Sequence, residues 1–247
     1  MKKVLIAGES WITHSTHVKG FDIFNTCVYE EGVEWLRKAL EEGGYEVDFI
    51  PNHEAPEKFP WTLDEINKYS AVILSDIGSN TLLLSNATFA RSERRPNRCQ
   101  LIKEYVKQGG GFLMVGGYMS FTGIDAKARY GETEIADILP VKMIDKDDRV
   151  EAPEGLYPEI VNSSHEVMNG ISPKWPFFLG YNRTVECNEG KVIAKINNDP
   201  FIAVREYGKG RTAVFTSDCA PHWGPTEFVN WESYPVLWNN IMNWLTK

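Results

Sequence analysis

The run Gly109–Gly123, Gly-Gly-Gly-Phe-Leu-Met-Val-Gly-Gly-Tyr-Met-Ser-Phe-Thr-Gly, constrains the fold more than any other stretch of the chain. Its leading glycines end one element and open the next. Phe112–Val115 is short and continuously apolar, as expected of a strand buried on both faces. Gly116-Gly117 then permits a sharp turn, because a residue without Cβ tolerates positive φ. In an open parallel sheet, ligands bind beyond the carboxyl ends of the strands. Gly116, Gly117, Tyr118 and Ser120 are therefore the first candidate ligand-binding residues. The plain alternative is a tight strand-to-loop turn without chemistry.

The segments before this turn alternate between strand and helix patterns. Lys3–Ala7 reads as a first strand, with Gly8-Glu9-Ser10-Trp11 at its carboxyl end. From Trp11 to about Cys27 no clean period holds, and a long loop carrying His14 and His17 is expected. Tyr29–Glu42 is expected to be helical, since Val33, Leu36 and Leu40 recur at helical spacing before Gly43-Gly44. Tyr45–Ile50 is a second strand, Leu63–Tyr69 a short helix, and Ala71–Leu74 a third strand followed by Ser75-Asp76. Arg91, Arg94, Arg95 and Arg98 form a basic cluster, read as a solvated loop and helix start, with an anion clamp as the rival reading. Asn97 is placed to cap the helix Cys99–Lys107. This alternation predicts a parallel sheet with helices on both faces.

After Gly123 the pattern changes. Ile135–Leu139 suits a helical turn, Asp145–Asp148 a solvated charged loop, and His165–Met168 a short element at the sheet rim. Val192–Ile196, Phe201–Glu206 and Arg211–Phe215 alternate as antiparallel strands joined by Asn197-Asn198-Asp199 and Gly208-Lys209-Gly210. Tyr234–Leu245 is a final helix with Leu237, Ile241 and Trp244 on one face. The expected fold is a flavodoxin-like three-layer α/β/α sandwich, mostly parallel, with an antiparallel extension in the second half. No repeat or low-complexity linker interrupts it, so residues 1–247 are read as one domain.

Composition bounds the function. The chain is 43% apolar and 24% charged, ordinary for a globular protein. Its net charge of −8 would repel phosphate backbones, which excludes nucleic acid as an expected partner. Val4–Ala7 is too short for a signal-peptide core, and no stretch approaches a membrane span. Cys27, Cys99, Cys187 and Cys219 show no CxxC spacing, so reduced thiols and a cytoplasmic location are expected.

The stretches Gly-Gly-Gly-Phe-Leu-Met-Val-Gly-Gly-Tyr-Met-Ser-Phe (109–121) and Ser-Asp-Cys-Ala-Pro-His-Trp-Gly-Pro (217–225) resemble the class I glutamine amidotransferase-like superfamily. Within it the chain looks closest to a "putative glutamine amidotransferase" branch near the trehalose-utilisation-type proteins. Active amidotransferases carry Gly-x-Cys-x-Gly at the turn. Laid on this chain, Gly116 matches the first glycine, Tyr118 falls on the nucleophile and Ser120 replaces the last glycine. The family's His-Pro-Glu is represented by His222 alone, followed by Trp223-Gly224, so an orienting carboxylate falls to Asp218. The resemblance thus implies the fold, a sugar-like or other small polar metabolite, and self-association into a homo-oligomer. It does not imply glutamine hydrolysis.

The candidate catalytic residues are His222, Asp218 and Glu9, with Asp76 as a further strand-end carboxylate at the ligand site. Trp11 and Trp223 flank the expected rim, where aromatic faces beside carboxylates suit polyols. Core packing is the favoured reading for Trp11 and stands level with ligand contact for Trp223. Cys219 close to His222 could replace the missing thiol nucleophile, although a buried inert cysteine is commoner. Strand-end acids with His14, His17 or His222 could hold a divalent ion, but HExxH and HxH spacings are absent and no metal is assigned. No cofactor is assigned either, since GxGxxG does not follow the first strand. An enzyme acting on a small metabolite and a non-catalytic binding module both stay open at this point. Convergence of Glu9, Asp76, Asp218 and His222 in one cleft would favour the enzyme.

Overall fold

In the computed structural model, which describes residues 1–247, β1 (Lys3–Gly8) sends Val4 and Ile6 to one face of a sheet and Leu5 and Ala7 to the other. All four are fully buried, so the strand is covered by a layer on each side. β2 (Ser10–Lys19), β3 (Asp22–Glu31), α1 (Glu34–Glu42), β4 (Glu46–Ile50), α2 (Ala55–Lys58), α3 (Leu63–Ile66) and β5 (Ala71–Ser75) follow. Then come α4 (Ser79–Leu83), α5 (Asn86–Arg91), α6 (Arg98–Gln108) and β6 (Gly111–Val115). The second half holds β7 (Val141–Met143), β8 (Arg149–Leu156), β9 (Glu159–Ile160), β10 (Phe178–Asn182) and β11 (Thr184–Glu186). It ends with β12 (Lys191–Ile196), β13 (Asp199–Tyr207), β14 (Gly210–Phe215), α7 (Thr226–Val229) and α8 (Tyr234–Leu245).

The main sheet has the order β4-β1-β5-β6-β14-β13-β12-β9. Its first five strands are mutually parallel, and in chain order they read 2-1-3-4-5, the flavodoxin-like arrangement. β14 is the seam: it lies parallel to β6 and antiparallel to β13. The β12-β13-β14 meander is the expected antiparallel extension, with Asn197 and Asn198 both at positive φ in its first turn. On one face α1 and α8 pack Leu36, Leu40, Leu237, Trp238 and Ile241 against the sheet. On the other, α6 contributes Ile102, Tyr105 and Val106. Asn97 caps α6, its side-chain oxygen accepting from the amides of Cys99 and Gln100.

Three expectations need correction. The segment expected to be a loop from Trp11 to about Cys27 belongs to a hairpin arm, β2 and β3, paired over ten residues in unbroken antiparallel register. Nearly every residue of the arm is exposed, so no core selects one apolar face and the period that would reveal a strand is missing. For the same reason the helix expected from Tyr29 begins only at Glu34, because Tyr29–Glu31 finish β3. Ile135–Leu139 forms successive tight turns rather than a helix, with the amide of Ile138 donating to the carbonyl of Ile135.

A further correction concerns Arg98, expected to be solvated with its neighbours. Arg91, Arg94 and Arg95 are exposed, but Arg98 is fully buried. Its guanidinium donates to the carbonyls of Leu82, Ala55 and Thr81 and stacks on Trp61, 3.9 Å from the ring centroid. It therefore closes the C-terminal side of α4 and the start of α2 onto α6. Removing the fork leaves the carbonyls of Leu82 and Thr81 unpaired, while that of Ala55 keeps the amide of Phe59. Arg98→Ala is expected to destabilise the fold by about 2–4 kcal/mol in urea unfolding, the order of cost for stranding buried acceptors. Arg94→Ala, on the exposed rim, should change stability by less than about 0.5 kcal/mol.

Candidate functional site

The strand ends carry backbone that sequence patterns do not announce. Glu9 directly follows β1 with φ +43°, and Asp76 directly follows β5 with φ +46°. A non-glycine residue in this region costs about 1–3 kcal/mol and persists only where its surroundings over-determine it. Here they do. The amide of Glu9 donates to the carbonyl of Ser75 at 2.7 Å, and the amide of Asp76 donates to Ser120 Oγ at 3.1 Å. Asn52 Nδ2 donates to the carbonyl of Asp76 at 3.0 Å. Both carboxyl groups are thereby held over the carboxyl ends of the parallel strands.

The turn after β6 completes this floor. Gly117 has φ +140°, and a Cβ there would lie 2.8 Å from Asp76 Oδ1, so glycine is required for both the conformation and the close approach. Asp76 Oδ1 in turn accepts from the amide of Met119 at 2.6 Å. After β14, Asp218 Oδ2 accepts from the amide of Trp223 at 3.0 Å and lies 2.6 Å from His222 Nδ1. An ionised carboxylate only accepts, so this contact places the proton on Nδ1 and leaves Nε2 for exchange.

Glu9, Asp76, Asp218 and His222 meet in one cleft of about 420 Å³, walled by Trp11, Tyr118 and Pro221. The Tyr118 ring stands edge-on to His222 at 4.5 Å between centroids, and its hydroxyl donates to Glu151 Oε1 at 2.9 Å. The two tryptophans reverse the expectation. Trp11 projects from the exposed arm and lines the cleft, whereas Trp223 is buried behind it and donates from Nε1 to Glu151 Oε2. Gly116, Gly117 and Ser120 lie beneath the cleft and shape it through backbone or second contacts rather than walling it. A separate groove of about 340 Å³ beside Trp35 and Pro235 has no convergent set of reactive groups. No group of three or more His, Cys, Asp or Glu side chains is arranged to hold a metal ion.

Burial decides the electrostatics. It is the largest cause pushing Glu9 up to about 8, followed by the charges of Asp218 and Asp76, and the Ser75 hydroxyl bonded at 2.5 Å only partly offsets it. Asp76 is pushed up to about 6, again first by burial and then by Asp218. His222 is raised mainly by its hydrogen bond to Asp218 against its own burial. Cys219 is fully buried, with Sγ 3.7 Å from Ser75 Oγ, and burial raises its thiol well above the usual range. It has neither the exposure nor the thiolate character of a nucleophile.

Several residues that build the site were not singled out by sequence. Asp148, expected in a solvated loop, is buried and accepts from the amides of Thr122 and Gly123 and from Asn182 Nδ2. Asn182 also grips Gly117, accepting from its amide at 2.9 Å and donating to its carbonyl at 3.1 Å. Arg149, paired with Asp147, lies over the Tyr118 ring at 4.9 Å from the centroid. The only signal for this set was the acidic run ending in Asp148, which carries no periodicity to separate its inward member from the others.

Glu9 links the site to stability. A carboxyl whose folded pKa exceeds its unfolded value keeps a proton that the unfolded chain has released, so stability falls as pH rises from about 4.5 to about 8. Glu9→Gln removes that dependence. Relative to wild type, its unfolding free energy should climb across this window, by an amount on the order of a few kcal/mol at the upper end, and its thermal midpoint with it. A pH series of unfolding scans checks it.

The chain from Lys3 to Lys247, residues 3–247, matches a family described as "Putative glutamine amidotransferase". No curated protein matches it. Among solved structures, the cytoplasmic protein STM3548 of Salmonella typhimurium is 50% identical with TM-score 0.95, covering 98% of each chain. The cytoplasmic protein STM1381 of Salmonella typhimurium LT2 is 45% identical with TM-score 0.95, covering 99% of this chain and 100% of its own. A "Putative thua-like protein" of Bacteroides uniformis shares the fold at TM-score 0.56 and 11% identity, over 97% of this chain and 89% of its own. No helix of the chain is long and apolar enough to cross a membrane. By the match over nearly its whole length, the chain belongs to the glutamine amidotransferase-like family.

Proposed function

We propose that this chain acts by general acid–base chemistry on a small, neutral, polyhydroxylated metabolite bound in the strand-end cleft, and that it is not a glutaminase. The observation that carries the reading is the convergence of Glu9, Asp76 and the Asp218–His222 pair in one cleft. Groups pushed to about 8 and about 6 beside an oriented imidazole supply an acid and a base near neutral pH. His222 Nε2 would take or deliver the proton, and neutral Glu9 would act as a donor. The aromatic faces of Trp11 and Tyr118 suit the apolar face of a sugar ring, and the carboxylates suit its hydroxyls. No lysine or arginine lines the cleft, which disfavours phosphorylated or carboxylated ligands.

Tyr118 argues against amide hydrolysis. It stands at the turn position of the family's cysteine, and burial together with the Glu151 hydrogen bond raises its phenol further from ionisation. The amide of Met119, next along the turn, is already taken by Asp76 and is not free to stabilise an oxyanion. The expected outcome is no ammonia release from glutamine, and saturation-transfer NMR signals from neutral polyols but not from their phosphates. Those signals should fade in Trp11→Ala. Turnover of a bound polyol should drop by about 10²-fold or more in His222→Ala, the range for loss of a general acid–base. Glutamine-dependent ammonia release lost on Tyr118→Phe would overturn the proposal. A polyol that binds and is returned unchanged would assign the cleft to binding alone.

A further inference from the structure

We infer that the β2–β3 arm is a dimerisation element that docks on a second copy of this chain. Of the 15 exposed large apolar side chains in the protein, 8 lie between Trp11 and Tyr29. Cross-strand partners share a face, so the register sorts them. Trp11, Val28 and Phe24 lie on one face, and Ile12, Tyr29, Val18 and Ile23 lie on the other. Phe21 stands fully exposed at the tip. Each face thus exposes large apolar side chains among its polar ones. An isolated two-stranded hairpin is at best marginally stable in water, and three or more strands or a packed face are needed.

The outer edges of the arm are equally unfinished. Both β2 and β3 pair only with each other, and beyond Ser10, whose carbonyl accepts from Asn52, their outer edges carry unpaired amides and carbonyls. Proteins normally blunt such edges with charge, proline or bulges. This arm has no proline and no bulge, and its charged side chains sit at its ends, Lys19 and Asp22 at the tip and Glu30 and Glu31 at the root. Its middle, Ser15, Thr16, Asn25 and Thr26, offers no like charges to repel a copy of itself.

The size of the patch fits a second copy. With side chains of roughly 150 Å² each, the exposed part of these eight comes to about 700 Å² summed over both faces and the tip, which a second copy covers by clasping the arm on both sides. A standard interface takes about 800 Å² from each partner, and a two-fold pair uses the same patch twice. A lipid surface fits less well, because membrane-binding segments rely on clustered Lys and Arg, and the arm has Lys19 alone. The arrangement reaches the cleft as well. Trp11 at the arm's root lines it and is steadied by its indole donating to Glu30 Oε2 at 3.0 Å. Docking the arm would fix this wall of the cleft.

Sedimentation velocity on the full chain across a dilution series tests the inference. Wild type is expected at twice the 28.1 kDa chain mass. Val18→Lys with Ile23→Glu replaces an opposed apolar pair by an opposed ion pair, which preserves the hairpin while charging its surface. Replacing Ser15–Thr26 by Asn-Gly closes a short hairpin between the opposed His14 and Cys27. Both variants should sediment as monomers, with dimer affinity weakened by at least about a hundredfold, and should keep the wild-type circular dichroism and a cooperative unfolding transition, its midpoint lowered only by the lost dimer linkage. Hydrogen exchange should show arm amides that lose protection on dilution of wild type. The inference is overturned by a wild type that stays monomeric at its highest soluble concentration, by variants that remain dimeric, or by a monomer whose arm instead carries it onto phosphatidylglycerol vesicles.

Discussion

The site depends on one buried polar clamp. A glycine-rich turn has no side chains to hold it, and its amides need partners once they are away from water. Asn182, at the end of β10, supplies both halves of the pairing to Gly117. Its remaining amide hydrogen goes to Asp148, whose carboxylate takes the amides of Thr122 and Gly123. Every donor and acceptor in this cluster is satisfied, the condition under which a buried polar network rigidifies rather than destabilises. The second half of the chain thus reaches back to fix the turn of the first half, and Tyr118, Met119 and Ser120 take their positions from it.

From that clamp the electrostatics follow. Once Met119 is fixed, its amide holds Asp76, and Ser120 holds the backbone of Asp76 in its left-handed conformation. Asp76 then faces Asp218 and Glu9 in a space too enclosed for three full charges. The protons settle where burial is deepest, on Glu9 first. Asp218 is the member bonded to the imidazole, with His222 Nδ1 at 2.6 Å. The result is one cleft that holds a neutral acid and an oriented imidazole side by side, the separation of roles that acid–base chemistry requires.

The fold was legible in the sequence wherever burial imposes a period. β1, β5, β6 and the β12–β14 meander are read from apolar runs, and α8 was placed to the residue at Tyr234–Leu245. The arm was not legible, because a ribbon exposed on both faces has no side selected by a core. Within the site, the strand-end rule pointed to Glu9, Asp76, Tyr118 and Asp218 without knowledge of any contact. The rule gives position along the chain but not direction of the side chain, so Trp11, favoured for the core, lines the cleft, and Trp223, level between core and ligand, is buried. Asp148, Asn182 and Glu151 were invisible for another reason: each acts across more than 25 residues of sequence, through contacts that only the assembled sheet creates.

The amidotransferase-like scaffold carries a tyrosine at its strand-to-loop turn, and the geometry shows what holds that turn in place. The turn retains Gly116-Gly117 because Asp76 and Thr216 approach too closely for any Cβ. That demand is structural and does not depend on which side chain follows at position 118. The Tyr118 hydroxyl points to Glu151 rather than to His222. Glu151 ties it to Trp223, and Arg149 covers its outer face. The side chain is thus braced on three sides as a wall. Tyr118 and Trp11 line the same cleft as the oriented imidazole. In the proposed reading, selectivity would rest on these two aromatic rings, one fixed by the core and the other carried by the arm.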